Sequence, residues 1–209
     1  MKQDACNIYD SEVRNEMLKQ LPHGNTITQE EILEIEQNTR DQSSNDQWFD
    51  ERKKRLTASN FGAVIKRKKS IHPKSLLEKI QNQHRHSNPP APCKWGLDKE
   101  QNAINAYYSV KKQEEKTVTV CSRCGFAVNP TSPWLGASPD FVVSDITEVN
   151  HLGIGEVKCP YAKRDMTIKE ACQDNTFFKG KRWRNPYKTK SQLLFSNSRQ
   201  YGNATFKVV

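Results

Sequence analysis

Residues 136–161 read GASPDFVVSDITEVNHLGIGEVKCPY, and the reading of this stretch decides the fold. Apolar residues run on both sides of the loop TEVNHLG (147–153), so the segment reads as two strands, WLGASPDFVVSD (134–145) and GIGEVKCPY (153–161). If they pair as a hairpin with its midpoint near residue 148, Asp140 and Glu156 lie roughly opposite each other. Glu156 and Lys158 are two residues apart and share one face of their strand. Two acids and a base then converge. Facing carboxylates suit a hard divalent cation held through oxygen. A lysine beside them suits the orientation of a water or the stabilisation of charge on a phosphate. Metal, water and lysine together fit phosphodiester hydrolysis. The plain alternative is a surface salt bridge between Lys158 and an acid, since a D…ExK pattern also arises by chance.

Upstream, WGLDKEQNAINAYYSVKK (95–112) places Glu100, Ala103, Ile104 and Tyr107 at i, i+3, i+4 and i+7, one face of a helix. An acid on that stripe either keeps its head in water at the edge or turns inward and needs a metal or a base as partner. Glu100 is therefore a third candidate ligand.

Further out, helices are expected over 27–39, 47–56, 60–68 and 73–83, with Thr57 or Ser59 as N-cap of the third. SNPPAPCK (87–94) reads as a loop because it holds three prolines. KTVTVCSR (116–123) and GFAVNP (125–130) read as strands joined by a turn at Gly125. After the hairpin come a helix over 166–175, the basic loop FFKGKRWRNP (177–186), a helix over 187–198 and a closing strand over 204–209. The order predicts an α/β or α+β sandwich. Residues 1–46 read as a polar N-terminal extension with one helix, ending in the linker-like DQSSNDQ.

Composition narrows the function. The 209 residues suffice for one domain plus an arm, and 34% of them are hydrophobic. No apolar run is long enough for a membrane span, and the first residues lack the apolar stretch of a secretory signal. The expected location is intracellular: nuclear in a eukaryotic host, cytoplasmic otherwise. The net charge is +9, from 33 Lys and Arg against 24 Asp and Glu. Residues 52–69 hold eight bases and no acid, and residues 160–209 hold eleven bases and three acids. Such blocks point to a polyanion, most often nucleic acid, with a solvated basic surface as the alternative. The six cysteines, without a signal peptide, do not suggest a disulfide framework. Cys121 and Cys124 form a CxxC, half of a zinc site that His84, His86 or Cys93 would have to complete; the stretch also reads as a strand end and turn.

Four stretches in order, WFDERKKRLTASNFG (48–62), WGLDKEQNAINAYY (95–108), PWLGASPDFVV (133–143) and GEVKCPY (155–161), resemble the YqaJ-like viral recombinase group of lambda-type exonucleases, within the PD-(D/E)xK nuclease superfamily. A weaker likeness continues over residues 187–209, so the resemblance covers 48–209 and implies a nuclease domain over 47–209. It implies a central curved mixed β-sheet flanked by helices, and a deoxyribonuclease dependent on Mg²⁺ or Mn²⁺. Asp140, Glu156, Lys158 and Glu100 fall on the catalytic positions. The metal would be held by Asp140, Glu156, the backbone carbonyl of Val157 and Glu100, the last directly or through water. Arg52, Ser59 and Ser138 fall where the family holds a terminal 5′-phosphate, a task suited to a bidentate arginine and hydroxyl donors. Lys179, Lys181, Arg182, Arg184, Lys188 and Lys190 would track the DNA backbone.

The chain departs from the family pattern in three places. Lys188 and Lys190 stand where glutamines are usual, leaving Gln192; Phe141 replaces the glycine after SPD; and Pro130 stands where some members carry another acid. The implied activity is a 5′ to 3′ exonuclease on duplex DNA ends in viral or mobile-element recombination. The implied partners are a ring trimer of the chain and a single-strand annealing recombinase. The competing readings are a DNA-binding module of the same fold with weakened catalysis, an endonuclease of the superfamily, and a zinc-organised adaptor. The lysines at 188 and 190 favour the first of these, and the Arg52 and Ser59 pattern opposes the second.

Overall fold

The protein is described here from a computed structural model. It describes residues 11–24, 26–68, 70–82, 88–114, 118–121, 123–146, 152–166, 170, 194–197 and 202–208. The chain forms two compact units, Met1–His86 with Cys124–Ser138, and Ser87–Arg123 with Pro139–Val209.

The first unit carries α1 (Ser11–Leu18), α2 (Gln29–Asn38), a 3₁₀ turn (Gln42–Ser44), α3 (Asp46–Lys53), β1 (Leu56–Thr57), α4 (Ala58–Ile65) and α5 (Lys74–Gln81). Its returning segment adds β3 (Ala127–Val128) and β4 (Leu135–Ala137). α2 starts at a capping box: Thr28 Oγ1 accepts from the Glu31 N–H at 3.2 Å, and Glu31 Oε2 accepts from the Thr28 N–H at 2.7 Å. Asn45 caps α3 by accepting from the Gln47 N–H. The three strands lie in the order β1-β4-β3, with β1 parallel and β3 antiparallel to β4. Val13, Met17, Leu56, Val64, Leu77, Ile80 and Trp134 form the core. Among its described residues the 1–46 segment holds two α-helices where one was expected, and α1 supplies Val13 and Met17 to that core.

The end of α3 carries a buried ion pair whose arginine also reaches the approach of β4. Arg55, 3% exposed, pairs with Glu51, 7% exposed, and its Nε donates to Pro133 O at 2.9 Å. Gly125 is not the expected strand-joining turn. Its N–H donates to Glu36 Oε1 at 3.0 Å, and a Cβ there would lie 1.7 Å from Glu36 O. Only glycine lets the two backbones approach this closely.

The second unit carries α6 (Ala91–Glu114), β2 (Val118–Cys121), β5 (Phe141–Asp145), β6 (Leu152–Lys158), a 3₁₀ turn (Tyr161–Lys163), β7 (Leu194–Asn197) and β8 (Gly202–Val208). The sheet order is β2-β5-β6-β8-β7, antiparallel at every step among the described strands, while the mixed pairing lies in the three-stranded sheet of the first unit. Parallel pairing occurs only between β1 and β4 among the described strands. Ala103, Ile104 and Tyr107 of α6 pack on Phe141, Val143 and Val157. No described helix is long and apolar enough to cross a membrane.

Other expectations also change. α6 begins at Ala91, inside the stretch read as a loop; Pro92 is tolerated in the first turn, whose N–H groups have no intrahelical partner. The strand expected over 134–145 is two strands in different sheets, β4 and β5, separated by Ser138-Pro139-Asp140. β2 and β3, expected as joined neighbours, also belong to different sheets. Within the helix expected over 187–198, Leu194–Asn197 is a strand paired with β8. The helix expected over 166–175 lies almost wholly outside the described residues.

Candidate active site

β5 and β6 pair in the register Phe141↔Gly155, Val142↔Ile154 and Val143↔Gly153. Asp140 stands just before β5. Its N–H donates to Gly155 O at 3.1 Å, and its Oδ2 accepts from the Val157 N–H. The aspartate is thereby fixed against the middle of the ExK run. Alternation along β6 buries Gly155 and Val157 and exposes Glu156 and Lys158 on the other face, where the two form an ion pair. Gly155 makes room for Phe141, since a Cβ there would lie 2.0 Å from the Phe141 ring. The bulky residue after SPD is therefore matched by a glycine opposite it.

α6 brings the third acid. Glu100 is half-buried on the stripe that continues into Ala103, Ile104 and Tyr107. The start of α6 is held to the turn after β6 by an edge-on contact of Trp95 with Tyr161, ring centroids 6.3 Å apart. Lys99 lies over the Trp95 ring at 5.0 Å and Arg164 over the Tyr161 ring at 4.1 Å. Burial, with Asp140 and Glu156 adding to it, pushes Glu100 up to about 7 against the pull of Lys158. Burial also pushes Asp140 up to about 6; the Val157 N–H and Lys158 oppose the shift and Glu156 adds to it. Burial, then Glu100 and Asp140, raise the Cys159 thiol to about 11, so it is no nucleophile at neutral pH.

These shifts bear on a cation. Among the described residues no three of His, Cys, Asp and Glu gather closely enough to hold a metal by themselves. The donor chemistry nevertheless fits a hard divalent ion. Asp140 and Glu156 raise the pKa of half-buried Glu100, and Glu156 raises that of half-buried Asp140, so burial and neighbouring negative charge outweigh the pull of Lys158 at both, and a further cation would relieve them. Magnesium takes only one or two carboxylates and keeps several waters. A pair of carboxylates such as Asp140 and Glu156, with waters completing the shell, would fit that habit.

A second cluster lies within the first unit. Arg52, one turn along α3 from Trp48, places its guanidinium 4.2 Å from the centre of the Trp48 ring. Its Nη2 donates to Ser59 Oγ at 3.1 Å. Trp48 Nε1 donates to Ser138 Oγ at 2.8 Å. Burial lowers the Arg52 pKa from its ordinary value. Two hydrogen bonds, Arg52 to Ser59 and Trp48 to Ser138, are thus linked through the stacking of the Arg52 guanidinium over the Trp48 ring. Sequence reasoning did not single out Trp48 as a partner of Ser138. The two are 90 residues apart, and no local pattern connects them.

The other sequence candidates are not gathered there. Lys179, Lys181, Arg182, Arg184, Lys188 and Lys190 lie outside the described residues, as do His84 and His86. Cys124 is buried and Cys93 is exposed.

The family profile of the YqaJ-like viral recombinase domain matches residues 47–200. No curated protein matches the chain.

Proposed function

The chain belongs to the YqaJ-like viral recombinase family, and from that premise we propose that it is a metal-dependent deoxyribonuclease with a PD-(D/E)xK core, degrading duplex DNA 5′ to 3′ from its ends during viral or mobile-element recombination. The observation that carries the reading is the fixing of Asp140 by the Val157 N–H, between Glu156 and Lys158, with Glu100 close enough to be shifted by all three.

Asp140 and Glu156 would hold Mg²⁺ or Mn²⁺, helped by the Val157 carbonyl and, through water, by Glu100. Bound there, the cation would supply an acidified water and neutralise phosphate charge. Lys158 would leave Glu156 to orient the attacking water or to hold the charge that develops on the phosphoryl oxygens. Arg52, Ser59 and Ser138 would hold the terminal 5′-phosphate, the guanidinium as a fork and the hydroxyls as donors. Lys179, Lys181, Arg182, Arg184, Lys188 and Lys190 would follow the DNA backbone. A ring trimer on the duplex and a single-strand annealing recombinase as partner extend the reading.

A second reading draws on one specific observation, the ion pair of Lys158 with Glu156. In it the chain is a DNA-binding relic whose acids and lysine serve only folding. A time course on linear duplex DNA separates the two, with 5′-phosphate and 5′-hydroxyl ends, closed circles as controls, and Mg²⁺ present or withheld. Mg²⁺-dependent loss of linear DNA with circles spared supports the exonuclease. Cutting of circles points to an endonuclease, and intact linear DNA in Mg²⁺ and Mn²⁺ favours the relic.

A further inference from the structure

The phosphate cluster of the first unit has an internal logic beyond its three anion-facing side chains. A serine hydroxyl has one hydrogen to donate and two lone pairs to accept with. Ser138 Oγ accepts from Trp48 Nε1, a group that can only donate. Its own hydrogen is thus left for another acceptor, and no such acceptor meets it among the described residues. Ser59 is arranged alike. Its Oγ accepts from Arg52 and lies 2.9 Å from Thr57 Oγ1. Thr57 is 1% exposed and already accepts from Asn60 Nδ2 at 3.2 Å. A buried hydroxyl hydrogen needs a partner, and Ser59 Oγ is within its reach. With Thr57 donating, Ser59 accepts twice and keeps its hydrogen for an external acceptor.

Trp48 acts on two members of this group. Its indole N–H sets the polarity of Ser138, and its ring carries the Arg52 guanidinium, restricting the swing of a long side chain. The Trp48 ring is braced in turn by Phe49, edge-on with centroids 4.9 Å apart. We propose that Trp48 is a positioning residue for terminal-phosphate recognition, holding Ser138 with its hydrogen turned outward and Arg52 in a fixed plane, so that both present donors to a phosphomonoester dianion. The proposal rests on the reading of Arg52, Ser59 and Ser138 as the 5′-phosphate site, and it adds how that site is kept ready.

The test is competitive binding of short duplexes with 5′-phosphate or 5′-hydroxyl ends by the full chain in EDTA, where cleavage is blocked. The readout is the ratio of the two affinities, which does not depend on the fraction of protein folded. Trp48→Phe keeps a ring under Arg52 and removes the indole N–H; Trp48→Tyr is the second variant should the first fold poorly. Trp48→Phe is expected to lower the phosphate preference by roughly threefold to tenfold, the scale of one ordinary hydrogen bond. Ser138→Ala should lower it similarly, and the Trp48→Phe/Ser138→Ala double variant should lose little more than either alone, because the N–H acts through the hydroxyl. Loss of preference in Ser138→Ala with full preference in Trp48→Phe and Trp48→Tyr would overturn the positioning role while leaving the phosphate site intact. So would simple additivity in the double variant. A wild-type chain without phosphate preference would instead remove the phosphate site itself, and the inference with it.

Discussion

Gly155→Ala tests whether the acids depend on the packing beneath them. The added methyl would lie 2.0, 2.3 and 2.4 Å from Phe141 Cζ, Cε1 and Cε2. The ring must retreat by about 1.4 Å, the difference between 2.0 Å and the 3.4 Å of ordinary contact. Phe141 is 0% exposed and packs on Tyr107 with ring centroids 5.2 Å apart, so it has nowhere free to go. Overpacking of a close-packed core costs about 1–3 kcal/mol, and a clash of this depth belongs near the upper end. For a chain of this size that lowers Tm by roughly 6–12 °C. The displaced ring also pulls on Asp140, its chain neighbour, so the affinity for Mg²⁺ should fall with stability. Phe141→Leu in the same chain should relieve the clash, giving a favourable coupling of about 1 kcal/mol or more in the double-mutant cycle. Thermal unfolding by circular dichroism, with metal titration on the same preparations, reads both effects. A Gly155→Ala protein that melts within about 1 °C of wild type, or a double variant that is merely additive, would refute the reasoning.

Three further outcomes follow from the same geometry. Glu51→Ala strands the buried Arg55 guanidinium with only backbone acceptors; breaking such a pair costs about 3–5 kcal/mol, and a Tm unchanged in a melting experiment would show that the pair is not what holds α3. In the metal-free protein the folded-state pKa values of Glu100 and Asp140 lie above their unfolded values, so their stabilising contribution is present below about pH 4 and is lost as pH rises through about 6 to 7. Glu100→Gln should therefore melt above wild type at pH 8 without metal and lose that advantage toward pH 5; an advantage that grows on acidification contradicts the sign. Lys158→Ala should slow single-turnover cleavage by roughly 10²-fold or more with Tm and DNA affinity retained; a lower Tm with normal turnover per folded molecule would make Lys158 a structural partner of Glu156.

The parts of the site legible in the sequence are those that obey a short period. The opposition of Asp140 and Glu156 followed from strand alternation about a central loop, and the inward-leaning Glu100 followed from its place on an apolar stripe. What escaped depended on distant contacts or on positional exceptions. Pro139 was a sign that the 134–145 strand is broken, since proline is rare inside a paired strand, but the division of β4 and β5 between two sheets has no local signature. The prolines at 89, 90 and 92 argued for a loop, yet a helix accepts Pro92 in its first turn. The run Leu193-Leu194-Phe195 is too short for periodicity to separate helix from strand, and pairing with β8 decided it. The return of Cys124–Ser138 to the first unit, and with it the contact of Trp48 with Ser138, is a matter of tertiary structure alone.

The most direct test of the account is the cleavage of 5′-phosphorylated linear duplex DNA in Mg²⁺ by wild type, Asp140→Ala and Glu156→Ala, with DNA binding measured on the same preparations. Wild type should degrade the duplex, and each variant should lose cleavage by roughly 10²-fold or more while binding DNA within a few-fold of wild type. Cleavage by either variant at close to the wild-type rate would contradict the assignment of these two carboxylates as the metal-holding centre of a nuclease.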